Sequence, residues 1–166
     1  MNKIIFCTLF ALTCLFSACS DDDEVLEPAY LPVTYANIAG TWQLKEWRGE
    51  ELGEGRYCYL VINRKANEED EHTLEMYMNI DSDKSRHITS IYELEDDEDM
   101  DEAPTTAYIS GRYDYSAGFW NNDYLVSEVE PNRMVWTVVN ETEDVSVYIR
   151  CDAVPEDILA GTRAIK

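Results

Sequence analysis

Thr73-Leu74-Glu75-Met76-Tyr77-Met78-Asn79-Ile80 sorts its side chains into two sets by simple alternation. A β-strand turns successive side chains to opposite faces. This octet therefore presents Leu74, Met76, Met78 and Ile80 to one side and Thr73, Glu75, Tyr77 and Asn79 to the other. A helical period would scatter the same four apolar residues around an axis. The segment reads as a strand with one buried face and one wetted face.

Working outward, the same pattern recurs at fairly even spacing. Upstream lie Thr41–Arg48, with alternation on Trp42, Leu44 and Glu46, and Arg56–Ile62, which is apolar on both faces. Downstream lie His87–Leu94, Thr106–Tyr113, Tyr124–Val129, Met134–Val139 and Val145–Arg150. Turn-forming stretches separate them: Gly49–Gly55, Pro131-Asn132 and Asn140–Asp144. Eight short runs joined by short connections predict an all-β domain, an eight-stranded up-and-down antiparallel barrel, with a β-sandwich as the alternative. Closing the sheet removes exposed strand edges, and eight strands enclose just enough room for packed side chains or one small ligand. Pro155 to Gly161 carries Pro at its start and Gly at its end, which predicts a short C-terminal helix.

The chain begins differently. Lys3 is followed by an apolar run from Ile4 to Phe16, then Ser17-Ala18-Cys19, then Ser20-Asp21-Asp22-Asp23-Glu24. This order resembles a bacterial lipoprotein signal, although Phe16 stands where that signal favours an aliphatic residue. The apolar run falls short of the roughly 20 residues a permanent bilayer span needs. The resemblance implies that residues 1–18 are removed and that Cys19 carries the lipid, including palmitate-type acyl chains that hold the protein on a membrane. The acidic run after Cys19 resembles the surface-export signal of Bacteroidota-type lipoproteins, which implies an outer-membrane protein exposed on the cell surface. Residues 19–37, with Pro28 and Pro32 and no periodicity, read as an acidic tether, and the folded domain is expected from 38 to 166.

Composition excludes several classes of function. The formal net charge is −21, and Lys3 is the only charged residue in the signal. So acidic a chain does not suit nucleic acid, whose binding needs a basic surface. Of the five cysteines only Cys58 and Cys151 remain in the domain; on strands that both flank the first one, they are expected to stay unbridged. Two histidines, His72 and His87, and no Cys-x-x-Cys give no metal signature, and no cofactor is expected. The run Glu95–Glu102 lacks the spaced pattern of a calcium loop and reads as a solvated loop.

Ile38-Ala39-Gly40-Thr41-Trp42-Gln43-Leu44 resembles the Gly-x-Trp opening of lipocalins. The layout from Ile38 to Cys151 is similar to the lipocalin-like domains of Bacteroidota lipoproteins, while the Thr-Asp-Tyr signature of the founding family is missing. The resemblance implies that Gly40, Trp42 and Arg150 form a structural motif, with Arg150 stacked on the Trp42 ring at the closed end of a barrel.

Four tryptophans and eleven tyrosines are the richest functional material. Trp120, Trp136, Tyr108, Tyr113, Tyr92 and Tyr59 are candidates to stack on a flat ligand, each against the plainer role of filling the core. Strand parity selects Met76, Tyr92, Tyr113 and Trp136 for a cavity wall. Ser110, Ser116, His72 and His87 form no nucleophile arrangement, and a glycosidase-like pair such as Glu46 and Glu128 has no support from spacing. The expectation is a binding protein rather than an enzyme, taking a small apolar, amphipathic or glycan ligand. The alternative is a structural or interaction module with a filled barrel that contacts an outer-membrane protein.

Overall fold

Strand β1 (Gly40–Trp47) is the seam on which the fold closes. The computed structural model describes residues 29–80, 84–95, 104–114 and 118–163. After β1 come the two-residue β2 (Glu50–Glu51), then β3 (Cys58–Ile62), β4 (His72–Met78), β5 (Arg86–Glu95), β6 (Ala107–Tyr113), β7 (Tyr124–Ser127), β8 (Arg133–Val138) and β9 (Glu141–Cys151). From β3 to β9 each strand pairs antiparallel with the next, and β1 pairs with both β3 and β9. Trp42 stands opposite Leu60 on one side and Arg150 on the other. The result is a closed, eight-stranded, antiparallel up-and-down barrel, with β2 as one extra strand on β1. The sandwich alternative is excluded.

Alternation sets what faces inward. Trp42, Leu60, Leu74, Ile109, Val126 and Met134 are fully buried and belong to one interior cluster. The two-faced strand β3 has its explanation outside the barrel. Cys58, Leu60 and Ile62 point in, while Tyr57 and Tyr59 join Val154 and Ile158 in a second cluster. Helix α2 (Glu156–Leu159) supplies Ile158 to that cluster and so covers the outward face of β3. Cys58 and Cys151 are free thiols, on the strands to either side of β1 and in different clusters.

Three features depart from the sequence reading. Residues 31–37, assigned to the tether, belong to the folded unit. The amides of Leu31 and Val33 donate to the carbonyls of Val129 and Pro104 at 2.7 and 2.9 Å, and Val33 is buried. Thr34 caps helix α1 (Tyr35–Ile38), accepting from the Asn37 amide at 3.2 Å. The segment is short and carries Pro32, so its alternation at Leu31, Val33 and Tyr35 does not read as a strand and only packing reveals its place. Second, the Gly49–Gly55 turn contains β2, because Arg48 and Gly49 both adopt positive φ, the geometry of a tight two-residue hairpin. Third, most of the Asn140–Asp144 turn is strand: β9 starts at Glu141, with a register shift opposite Thr137 and Val138. Its exposed polar side chains carry no hydrophobic signal there.

The signal segment with Cys19, Ser116, and Asp96–Glu102 of the acidic run lie outside the described residues.

Candidate functional site

The barrel's two ends are built differently, and the sealed one explains itself first. Gly40, Trp42 and Arg150 meet there. The Arg150 guanidinium lies 4.1 Å from the Trp42 ring centroid. It donates to three carbonyls, those of Pro131 at 2.6 Å, Ala39 at 2.7 Å and Asn37 at 3.1 Å. Partial burial draws its pKa somewhat below the ordinary guanidinium value. The Trp42 indole N–H donates to the Ile38 carbonyl at 2.8 Å. Gly40 has φ +137°, and a Cβ there would overlap the Arg150 guanidinium. Glycine is therefore required twice over, for backbone angle and for space. Tyr35 of α1 adds a second layer, stacked 3.6 Å on His72 and accepting from the Leu94 amide at 3.1 Å.

At the opposite end a cavity of about 280 Å³ opens between the strands. Met76 and Met78 of β4 and Ile88 of β5 form one wall, by the alternation that opened the sequence reading. Tyr113, Trp120, Tyr124, Trp136 and Tyr148 form the rest, with Arg86, Asn121 and Asn122 also on the lining. Four of these rings make a continuous series: Trp120 on Tyr124 at 6.2 Å, Tyr124 on Trp136 at 5.6 Å, and Trp136 on Tyr148 at 5.6 Å, all tilted or edge-on. Burial raises the Tyr124 and Tyr148 phenols above their usual range, so both are neutral donors near pH 7.

Trp120 enters from the β6–β7 connection, and Gly111 lets it in. A Cβ at Gly111 would lie 2.6 Å from the Trp120 ring and 2.7 Å from the Ile91 carbonyl. The Trp120 amide donates to the Gly111 carbonyl at 2.8 Å, and its indole N–H to the buried Ser90 hydroxyl at 3.1 Å. Trp136 is different. It is 3% exposed, yet its indole N–H is sealed from solvent and finds no acceptor among the described residues.

Three of the four residues chosen by parity, Met76, Tyr113 and Trp136, line this cavity. Tyr92 does not. It faces inward as parity requires, but it lies farther along β5, toward the sealed end, against Tyr35 and His72. Parity gives the face of a strand and says nothing about height along the barrel. Of the wider aromatic set, Tyr59 packs outside in the α2 cluster and Tyr108 is exposed. Met78 and Tyr148 share the phase of the chosen residues and were readable by the same signal. Asn121 and Asn122 sit in a connection, where no periodicity points to them.

The suggested acid pair is not assembled. Glu46 is exposed on β1 toward the open end, while Glu128 follows β7 at the other end and is paired with Arg133. The Ser and His candidates within the described residues are likewise dispersed: His87 bonds Glu75 at 2.8 Å on the barrel's outside, and His72 stacks under Tyr35. A larger depression of about 500 Å³ lies outside the barrel between Asn67, Glu69, Glu71 and Arg112. Its walls are solvated charges, and Glu71 and Arg112 already pair with each other. Among the described residues no group of His, Cys, Asp and Glu is placed to hold a metal. Comparison with family models, curated proteins and solved structures gave no match, so the fold and this cavity carry the functional reading alone.

Proposed function

We propose that this is a lipid-anchored, lipocalin-like binding protein that takes one small molecule into the open end of its barrel. The observation that carries the reading is the one-ended cavity: about 280 Å³ lined by methionine and aromatic side chains, in a barrel whose other end is sealed by Trp42 and Arg150. Ligand sites are typically concave, mostly apolar and equipped with a few polar groups. A filled barrel serving only as an interaction module would leave no such room. Binding is favoured over hydrolysis because no carboxylate is on the cavity lining among the described residues.

Location rests on the N-terminal sequence. In this reading Cys19 is acylated, residues 20–30 bridge from membrane to barrel, and the acidic start of that bridge directs the protein to the outer face of the outer membrane. Mass spectrometry of protein isolated from its native host tests the first claim: a stoichiometric small molecule is expected, and a ligand-free barrel would count against it. A Cys19→Ala protein is expected to leave the membrane fraction; one that still sediments with membranes would refute the anchor.

A further inference from the structure

The chemistry of the cavity narrows its occupant, given the binding function proposed above. We propose that the cavity selects a neutral, planar molecule of about two fused rings carrying a hydrogen-bond acceptor, and that the Trp136 indole N–H reads that acceptor. Size comes from volume. An apolar cavity of about 150 Å³ accommodates one benzene ring, and this one holds about 280 Å³. Shape comes from the walls, where tilted rings of Tyr124, Trp136 and Tyr148 offer faces and edges to a flat partner.

Charge is excluded from both sides. A cation would find no carboxylate on the lining among the described residues and would meet the Arg86 guanidinium there. An anion would enter against a chain of net charge −21. Arg86, the one charged residue on the lining among the described residues, is engaged in an interaction of its own.

The acceptor follows from comparing the four tryptophans. Trp42 donates to the Ile38 carbonyl, Trp47 to Asp144 and Trp120 to Ser90. Of the four, Trp136 alone donates to nothing among the described residues, although it lines an aromatic cavity inside the barrel. A buried donor without a partner is costly, and a ligand that supplies the acceptor recovers that cost. Met76 and Met78 line the same cavity, and their unbranched side chains can re-pack to admit the acceptor.

Naphthalene and quinoline make the test, since they share one shape and differ in a single ring nitrogen. Their affinities for the purified full-length protein and for Trp136→Phe are measured by equilibrium dialysis at pH 7.5. The quinoline-to-naphthalene affinity ratio is expected to fall about tenfold in the variant, while the loss of ring contact, common to both probes, cancels in the ratio. In the unsubstituted protein the Trp136 indole N–H resonance is expected to move downfield with quinoline and not with naphthalene. This second readout stands even if the variant fails to fold. If both probes bind and neither the ratio nor the resonance responds, Trp136 recognition is wrong and the cavity reading survives. If neither probe binds, both fall.

Discussion

Trp42 and Trp136 are both buried tryptophans on the inner face of one barrel, and they live in opposite circumstances. At the sealed end every polar group of the motif has a partner: the Trp42 N–H has Ile38, and the Arg150 guanidinium has three carbonyls and a ring face. At the open end the Trp136 N–H has none among the described residues, and its side chain lines a cavity. Native interiors satisfy nearly all their buried donors. The Gly40–Trp42–Arg150 motif, whose groups satisfy one another, is explained by stability, while the Tyr92 hydroxyl and His72 Nδ1 near it are buried without a partner among the described residues. An end that leaves a donor and a cavity is explained by something that arrives from outside. Sequence rules fail most informatively at such places.

The sealed end breaks most readily at its smallest residue. Gly40→Ala places a Cβ into the Arg150 guanidinium and puts an L side chain at φ +137°. A loss of about 3 kcal/mol is expected in urea unfolding, from backbone strain and displacement of a bonded cation together. Arg150→Met separates the two contributions. In that background Gly40→Ala should cost markedly less, because only the backbone strain remains. Strict additivity of the two substitutions would show that Gly40 is not there to admit Arg150.

Gly111 makes the matching test at the open end. Gly111→Ala meets both the Trp120 ring and the Ile91 carbonyl, and of the two only the indole can swing away. The expected cost is about 2 kcal/mol. Trp120 would also lose its bond to Ser90, leave the barrel and shift its emission to the red. An unchanged spectrum would mean that the strands move instead, and that Trp120 is as firmly built in as Trp42.

This contrast was half visible in the sequence. Alternation over Thr73–Ile80 and its neighbours carried the strand count and the inward phase, because a closed barrel repeats one physical rule on every strand. The sealed end was legible through Gly40, Trp42 and Arg150, since a resemblance tied residues 108 or more positions apart to one contact. The open end was less so. Met76, Tyr113 and Trp136 follow from phase, but Tyr92 shares that phase and sits toward the other end. Height along the barrel depends on stagger between strands, which no local pattern encodes. The β6–β7 connection that delivers Trp120, and the docked segment 31–38, are held by tertiary contacts alone.

Replacing each tryptophan by phenylalanine sharpens the comparison at constant hydrophobic character. Both substitutions remove ring volume. Trp42→Phe also strips the Ile38 carbonyl of its donor, whereas Trp136→Phe removes a donor that had no acceptor. Trp42→Phe should therefore be the more destabilising by about 1–2 kcal/mol. Equal losses in chemical unfolding would indicate that the Trp136 N–H is satisfied in solution, and the asymmetry between the ends would disappear.

Acid should loosen the open end and spare the sealed one. Asp144, on β9 near the end of β1, accepts from Arg48 at 2.7 Å and from the Trp47 indole at 2.6 Å. The hydrogen bond from Arg48 chiefly, with that from Trp47, holds its carboxyl below the ordinary range against an opposing effect of burial. A carboxylate whose folded pKa is depressed stabilises the fold above its unfolded value, near 4, and that contribution is lost as pH falls through the folded value. The carbonyl acceptors around Arg150 do not titrate in this range. Hydrogen-exchange protection, corrected for intrinsic rates, should then fall about threefold at the Arg48 amide between pH 6 and pH 3, the modest effect of a pair near the surface. The Arg150 amide, bonded to the Asn132 carbonyl at 2.9 Å, should keep its protection. Asp144→Asn should remove most of the difference between the two pH values at Arg48, leaving the smaller share of its pair with Glu141 at 3.6 Å. If both amides lose protection together, the ends open as one unit and their distinction is one of chemistry only, without a mechanical counterpart.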